Sequence, residues 1–158
     1  MTFHLKHIPA FALCAALVTT AGIAASQGAS KDAAAVGARH AQMGLISYHT
    51  GILGDMAKGD TEFDAEKAQA AATNLHAAAM LERSTLWIEG TEQGAAEGSR
   101  AKAEVWSDAA GFDAAFAALQ EASAPLMEVA DLEGLQAGMG AVGKSCGGCH
   151  DTYRGPKN

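Results

Sequence analysis

The chain has 158 residues, enough for one compact domain, and about half of them are hydrophobic with few aromatics. It carries 11 basic against 18 acidic residues, a net charge of −7, which excludes a nucleic-acid binder working through a basic face. Alanine is abundant, proline scarce and β-branched runs absent, which predicts an all-α chain and excludes a sheet-based fold.

The first residues read as a leader. Met1 to Pro9 carries Lys6, two histidines and no acid; Ala10 to Ala25 is apolar and small; Ala24-Ala25-Ser26 offers small residues where a signal peptidase reads. This predicts a signal peptide over residues 1–25, cleaved between about 25 and 30, and a mature domain over 30–158 in the periplasm. The apolar run has about 16 residues where a membrane span needs about 20, so no membrane anchor is expected after cleavage. Cys14 lies within the run, and Phe11-Ala12-Leu13 ahead of it lacks the small residue that lipid modification requires, so it receives no role. With Lys6 gone, ten basic residues face all 18 acids, a net charge of −8. That suits a basic partner, and equally suits mere solubility.

Four periodic segments make up the rest. The first runs from about Asp32 to Lys58, with Val36, Met43, Ile46, Leu53 and Met56 recurring at helical spacing and Gly59 as its stop. The second runs from about Asp64, a good N-cap, to Leu86, on a face of alanines with Leu75, Ala79 and Leu86. A polar connection with Gly90, Gly94 and Gly98 spans about Glu89 to Lys102. The third segment, about Glu104 to Ala130, repeats Phe112, Phe116, Leu119 and Leu126 and is expected to kink at Pro125. The fourth starts at the N-cap Asp131. Leu132, Leu135, Met139, Val142, Cys146, Cys149 and Tyr153 then alternate three and four without a slip. Its many glycines, among them Gly138, Gly140, Gly143, Gly147 and Gly148, weaken a helix and suit a backbone lying close to something flat. Short, long and short connections make this an antiparallel four-helix bundle.

The fourth segment ends in Cys146-Gly147-Gly148-Cys149-His150. Two cysteines two residues apart and followed by histidine are the attachment signature of c-type haem. Each thiol forms a thioether with a haem vinyl group, and the imidazole ligates the iron. On a helix the three residues fall at i, i+3 and i+4, one face aimed at one flat cofactor. A thioredoxin-like CxxC would sit near a strand–helix–strand pattern, which is missing. A zinc knuckle would need a second ligand pair. Cys146 and Cys149 are the only cysteines of the mature chain, so no disulfide framework remains to be built. The expected cofactor is one covalent haem c with its iron.

A C-terminal CxxCH on the last helix of a bundle, here Cys146 to His150 and then Asp151-Thr152-Tyr153-Arg154, resembles the cytochrome c-prime family, the class II c-type cytochromes. Arg39, Lys58-Gly59, Phe63-Asp64-Ala65, Gly90-Thr91-Glu92 and Val105-Trp106-Ser107-Asp108 look like its other landmarks. The resemblance implies a divided family. In the high-spin branch an apolar residue blocks the far side of the iron, and such proteins bind nitric oxide or carbon monoxide. In the low-spin branch a methionine of the first helix ligates the iron, four residues after an arginine near a propionate. Met43 stands at that position, between Arg39 and Lys58. The resemblance therefore implies a low-spin periplasmic electron carrier, axially ligated by His150 and Met43, performing no bond-making chemistry and serving periplasmic redox partner proteins. A Met/His pair raises the potential and suits that task. The alternative is a five-coordinate protein binding nitric oxide or carbon monoxide, and a third possibility is a structural or metal-stress bundle without haem.

Other candidates stay open on residues alone. A methionine on an apolar stripe is often core filler. Met56 lies 13 residues from Met43, about 20 Å along a helix, so both cannot face one iron. Met139 shares a helix with His150; Met80 and Met127 remain candidates, and His40 could give a bis-histidine site. His49 and His76 read as surface residues. Arg39 is expected to pair with a propionate, Arg154 to resemble the family's proximal arginine, and Trp87 and Phe112 to supply apolar haem walls. Family members often dimerise through their first two helices, which implies a possible homodimer.

Overall fold

A computed structural model describes the backbone from Thr19 to Lys157 and side chains from Asp32 onward. The chain divides into two compact units, Met1–Lys31 and Asp32–Asn158, and the functional site lies wholly in the second. Cys14 and most of the expected leader lie outside the described residues.

Helix α1 spans Thr19–Lys58, α2 Ala65–Ala79, α3 Glu104–Ser107, α4 Ala109–Ser123 and α5 Leu132–Tyr153, with a 3-10 turn over Ala124–Glu128. Four long helices and no strand among the described residues make the expected all-α bundle. Helix α1 begins before the expected Asp32, because the alanine-rich sequence on either side of that residue propagates a helix equally well. It stops where Gly59 takes φ 81°, a left-handed conformation that glycine adopts without steric cost.

The N-caps are where side-chain chemistry puts them. Asp64 accepts the Lys67 N–H at 3.0 Å and Asp131 accepts the Gly134 N–H at 2.8 Å. Two boundaries differ from expectation. Helix α2 ends at Ala79, seven residues before Leu86. Beyond it the Ser84 N–H donates to the Glu82 carboxylate, and Arg83 forks onto Asp113 at 2.6 and 3.0 Å. These side chains offer the backbone partners outside a helix. The third segment breaks at Asp108 (φ −125°, ψ 56°) as well as at Pro125. Asp108 leaves the helix to cap Gly111 at 3.2 Å.

Cross-links run in opposite senses along α2 and the α4 side. Gln69 donates to Val129 O, His76 Nδ1 meets Ser123 Oγ, Gln120 donates to Ala79 O and Arg83 reaches Asp113. That descending series makes α2 and α4 antiparallel. His76 is therefore half-buried in a helix contact, not on the open surface. Leu53, Leu75, Leu135 and Val142 are fully buried between the helices, each contributing on the order of 2 kcal/mol by burial. Leu132, read as part of the core stripe, is 38% exposed, one turn before the first core residue of α5.

The glycines of α5 have a different reason from the expected one. Gly138 sits against the side chain of Leu126, where a Cβ would collide, so the 3-10 turn can approach the helix. Gly140, Gly143, Gly147 and Gly148 meet nothing nearby, are exposed and do not line the main cavity.

Candidate functional site: a haem cavity between the first and last helices

Helices α1 and α5 pack against each other at one end and line a cavity of about 500 Å³ further along. From α1 come Val36, Arg39, His40, Met43 and Ile46; from the long loop Trp87, Ser99 and Arg100; from α4 Phe116 and Leu119; from α5 Cys146, Cys149, His150, Tyr153 and Arg154. Both cysteines and the histidine of the attachment signature thus face one space, as their i, i+3, i+4 spacing requires.

The register of α1 against α5 places Met43. Gln136 Nε2 donates to Ala57 O at 2.8 Å, and Gly54 faces the Met139 methyl group. Eleven residues back from Gly54 is Met43; eleven forward from Met139 is His150. Each step rises about 1.5 Å, so the two side chains stand level on opposite walls. Among the described residues Met43 is the single methionine that lines the cavity. Met56 is 1% exposed in the core, Met80 is 56% exposed on the surface, and Met127 and Met139 pack against the core cluster. His40 also reaches the wall, though it is exposed. His49 is half-buried and lies off the wall.

The α5 side has a tuned electrostatic setting. Burial, then the charges of Arg154 and Arg100, hold the His150 imidazole below the usual histidine range, with Asp151 opposing. A neutral ring is the form that ligates a metal. Burial pushes the Cys146 thiol up; burial and then the neighbouring Cys146 do the same for Cys149, against Arg154. Neutral thiols in this setting are poor disulfide-exchange nucleophiles. Arg154 is exposed and ends α5, its N–H bonded to His150 O at 3.2 Å. Arg100 was invisible to helical periodicity because it sits in the loop. It donates to Gly155 O at 2.6 and 3.0 Å and folds the C-terminal residues back toward the site.

Trp87 lines the cavity, as expected. Phe112 does not. It lies behind the wall, 4.8 Å from Trp87 and 5.1 Å from Tyr153 between ring centroids, and Phe116 takes the wall position. Arg39 is 4% exposed, not a solvated helix-face residue. Its Nη2 donates to Thr91 Oγ1 at 2.6 Å, and burial lowers the guanidinium from its ordinary value.

Tyr153 closes the base of the site. Its hydroxyl donates to Asp108 Oδ2 at 2.8 Å. That bond, then burial and the carboxylate's charge, push the phenol up to about 12. A raised phenol pKa stabilises the fold fully below the unfolded value of about 10. The contribution is lost as pH climbs from 10 to about 12. Tyr153→Phe is expected to remove that segment of the alkaline loss of stability, measured by thermal unfolding at pH 9 to 12.

A haem-sized apolar cavity, two thiols and an imidazole on one face, a thioether level with the imidazole and the buried Arg39 cation fit a covalent haem. Comparison with known proteins agrees. Residues 34–154 match the family model described as Cytochrome C'. The chain belongs to the cytochrome c-prime family. It is 38% identical to a cytochrome c-554 of Cereibacter sphaeroides, over 95% of this chain and 98% of that one. The solved cytochrome c' from Rhodobacter Spheriodes superposes with a TM-score of 0.76 at 36% identity, covering 80% of this chain and 98% of the other. A nitric oxide complex of a mutant cytochrome c prime from Alcaligenes xylosoxidans superposes with a TM-score of 0.70 at 34% identity, covering 80% and 97%. A carbon monoxide-bound variant of that protein is also similar, at a TM-score of 0.67. As a class II c-type cytochrome the chain carries covalently bound haem c with iron. Cys146 and Cys149 fit the two thioethers and His150 the iron.

Proposed function

We propose that this cytochrome c-prime family member takes nitric oxide or carbon monoxide at the iron, on the face opposite His150. The observation that carries this reading is the pair of similar structures holding those two gases. It displaces the electron-carrier expectation as the better supported of the two. The α1 wall agrees: Val36, Met43 and Ile46 are apolar neighbours for a neutral diatomic molecule. Bound haem supplies the iron orbital that the gas shares; this chain supplies the ligating imidazole and a water-poor pocket. The protein acts on no substrate bond and is not an enzyme in this reading.

The test is to add carbon monoxide to the dithionite-reduced protein and record the difference spectrum. Expected is a new, saturable Soret band. A ferrous protein whose spectrum does not respond would overturn gas binding.

A second reading is favoured by one observation, the level placement of Met43 and His150. There Met43 ligates the iron and the protein is a low-spin electron carrier, its iron closed to gas. The oxidised spectrum separates the two, because a sulfur-to-iron charge-transfer band marks thioether ligation.

The leader sequence supports export to the periplasm and redox or gas-delivering partners there. Among the described residues no helix is long and apolar enough to cross a membrane. Exposed Leu45 and Tyr48 on α1 support the homodimer through the first two helices.

A further inference from the structure

Two residues that line the cavity each carry a buried hydrogen-bond donor without an acceptor among the described residues. Arg39 directs Nη2 to Thr91, but its Nε is buried and unpaired. Trp87 Nε1 is likewise buried and unpaired. The two groups lie together, with the guanidinium carbon 4.9 Å from the Trp87 ring centroid. No carboxylate among the described residues pairs with Arg39. A buried N–H without a partner costs about 1–3 kcal/mol, and a charged one more. An acceptor supplied by whatever fills the cavity would satisfy both, and a negatively charged one would also answer the Arg39 charge.

The surroundings hold both donors in place. Thr91 Oγ1 accepts from Arg39 and donates to Ile88 O, while Ser99 Oγ donates to Thr91 O at 2.7 Å. Trp106 Nε1 donates to Trp87 O at 3.0 Å and fixes the backbone beneath the indole. Arg39 sits one helical turn before Met43, at the cavity edge on the α1 side. A flat cofactor lying between Met43 and His150 would present its edge carboxylates there.

We propose that Trp87 Nε1 is a second donor to the haem propionate expected to pair with Arg39, so that the indole and Arg39 Nε share one carboxylate. Trp87 is then a polar positioning residue, not only an apolar wall, and the long loop is fastened to α1 through the cofactor. The assignment rests on the haem occupying this cavity. It gives the loop glycines a purpose: left-handed turns at Gly90 and Gly98 immediately precede Thr91, which meets Arg39, and Ser99, which holds Thr91.

The experiment compares wild type and Trp87→Phe, both haem-loaded. A pyridine haemochrome assay first verifies covalent haem in each. Resonance Raman then reads the propionate bending band, which tracks hydrogen bonding to the carboxylate. Expected is a shift to lower frequency in Trp87→Phe, with a similar shift in Arg39→Gln. An unmoved band in a haem-loaded Trp87→Phe protein would overturn the assignment and leave a water as the acceptor. If Trp87→Phe does not accept haem, the wild type still decides. The chain has two tryptophans, and ultraviolet Raman should show both indole N–H groups bonded, Trp106 to Trp87 O and Trp87 to the propionate. A free indole in the holoprotein would sink the proposal. A wild type without covalent haem would instead remove the occupant, a failure that the haemochrome assay identifies separately.

Discussion

Replacing Cys146 and Cys149 together with serine is expected to abolish covalent haem and, with it, the cooperative fold. A serine hydroxyl does not form the thioether, so no bond holds the macrocycle to α5. The energetic consequence comes from the apolar walls. Without the cofactor, the apolar side chains around a cavity of about 500 Å³ face water instead of the haem, and the burial and contacts that the haem would supply are lost. Domains are stable by only about 5–15 kcal/mol in all, so such a loss weighs heavily. The substituted chain should therefore lose its sharp thermal transition while keeping helical far-UV dichroism and binding a hydrophobic dye. Pyridine haemochrome after acid-acetone extraction reads the haem, and a thermal scan reads the fold. A chain that retains extraction-resistant haem would remove the signature from its role.

Replacing Met43 with alanine is expected to raise carbon monoxide affinity of the ferrous protein by about tenfold or more, some 1.4 kcal/mol. The direction is the same in both readings of the site. If the thioether ligates iron, its removal vacates a coordination position. If it only lines the wall, its removal deepens the space beside the iron. The wild-type oxidised spectrum tells which. With ligation, Met43→Ala also loses the sulfur charge-transfer band and lowers the potential, since a thioether favours ferrous iron. Equal affinities in mutant and wild type would take Met43 out of the site altogether.

Much of the site was legible in the residues because its parts are local. The spacing of Cys146, Cys149 and His150 is a one-turn pattern, and any helix places them on one face. Asp64 and Asp131 cap because a carboxylate one step before a helix always can. Met43 was singled out by resemblance; the register of Gly54 with Met139 is what carries it to the level of His150. What failed was non-local. Phe112 and Phe116 share a face one turn apart, and only the offset of α4 against α5 decides which meets the cavity. Asp108 caps Gly111 locally with one oxygen, while its other oxygen is held by Tyr153, 45 residues away. Arg100 acts through backbone carbonyls at 155 and 156, which no period can announce. Beyond the early end of α2, Arg83 meets Asp113, a partner 30 residues away.

The groups that bond the cofactor come after every other wall in the chain. Those other walls come from residues 36–50, 87–101 and 115–119, all ahead of 145–154. A product cut short anywhere before Cys146 has three walls and no means of retaining the pigment. Such products stay colourless, so colour reports that synthesis has passed His150.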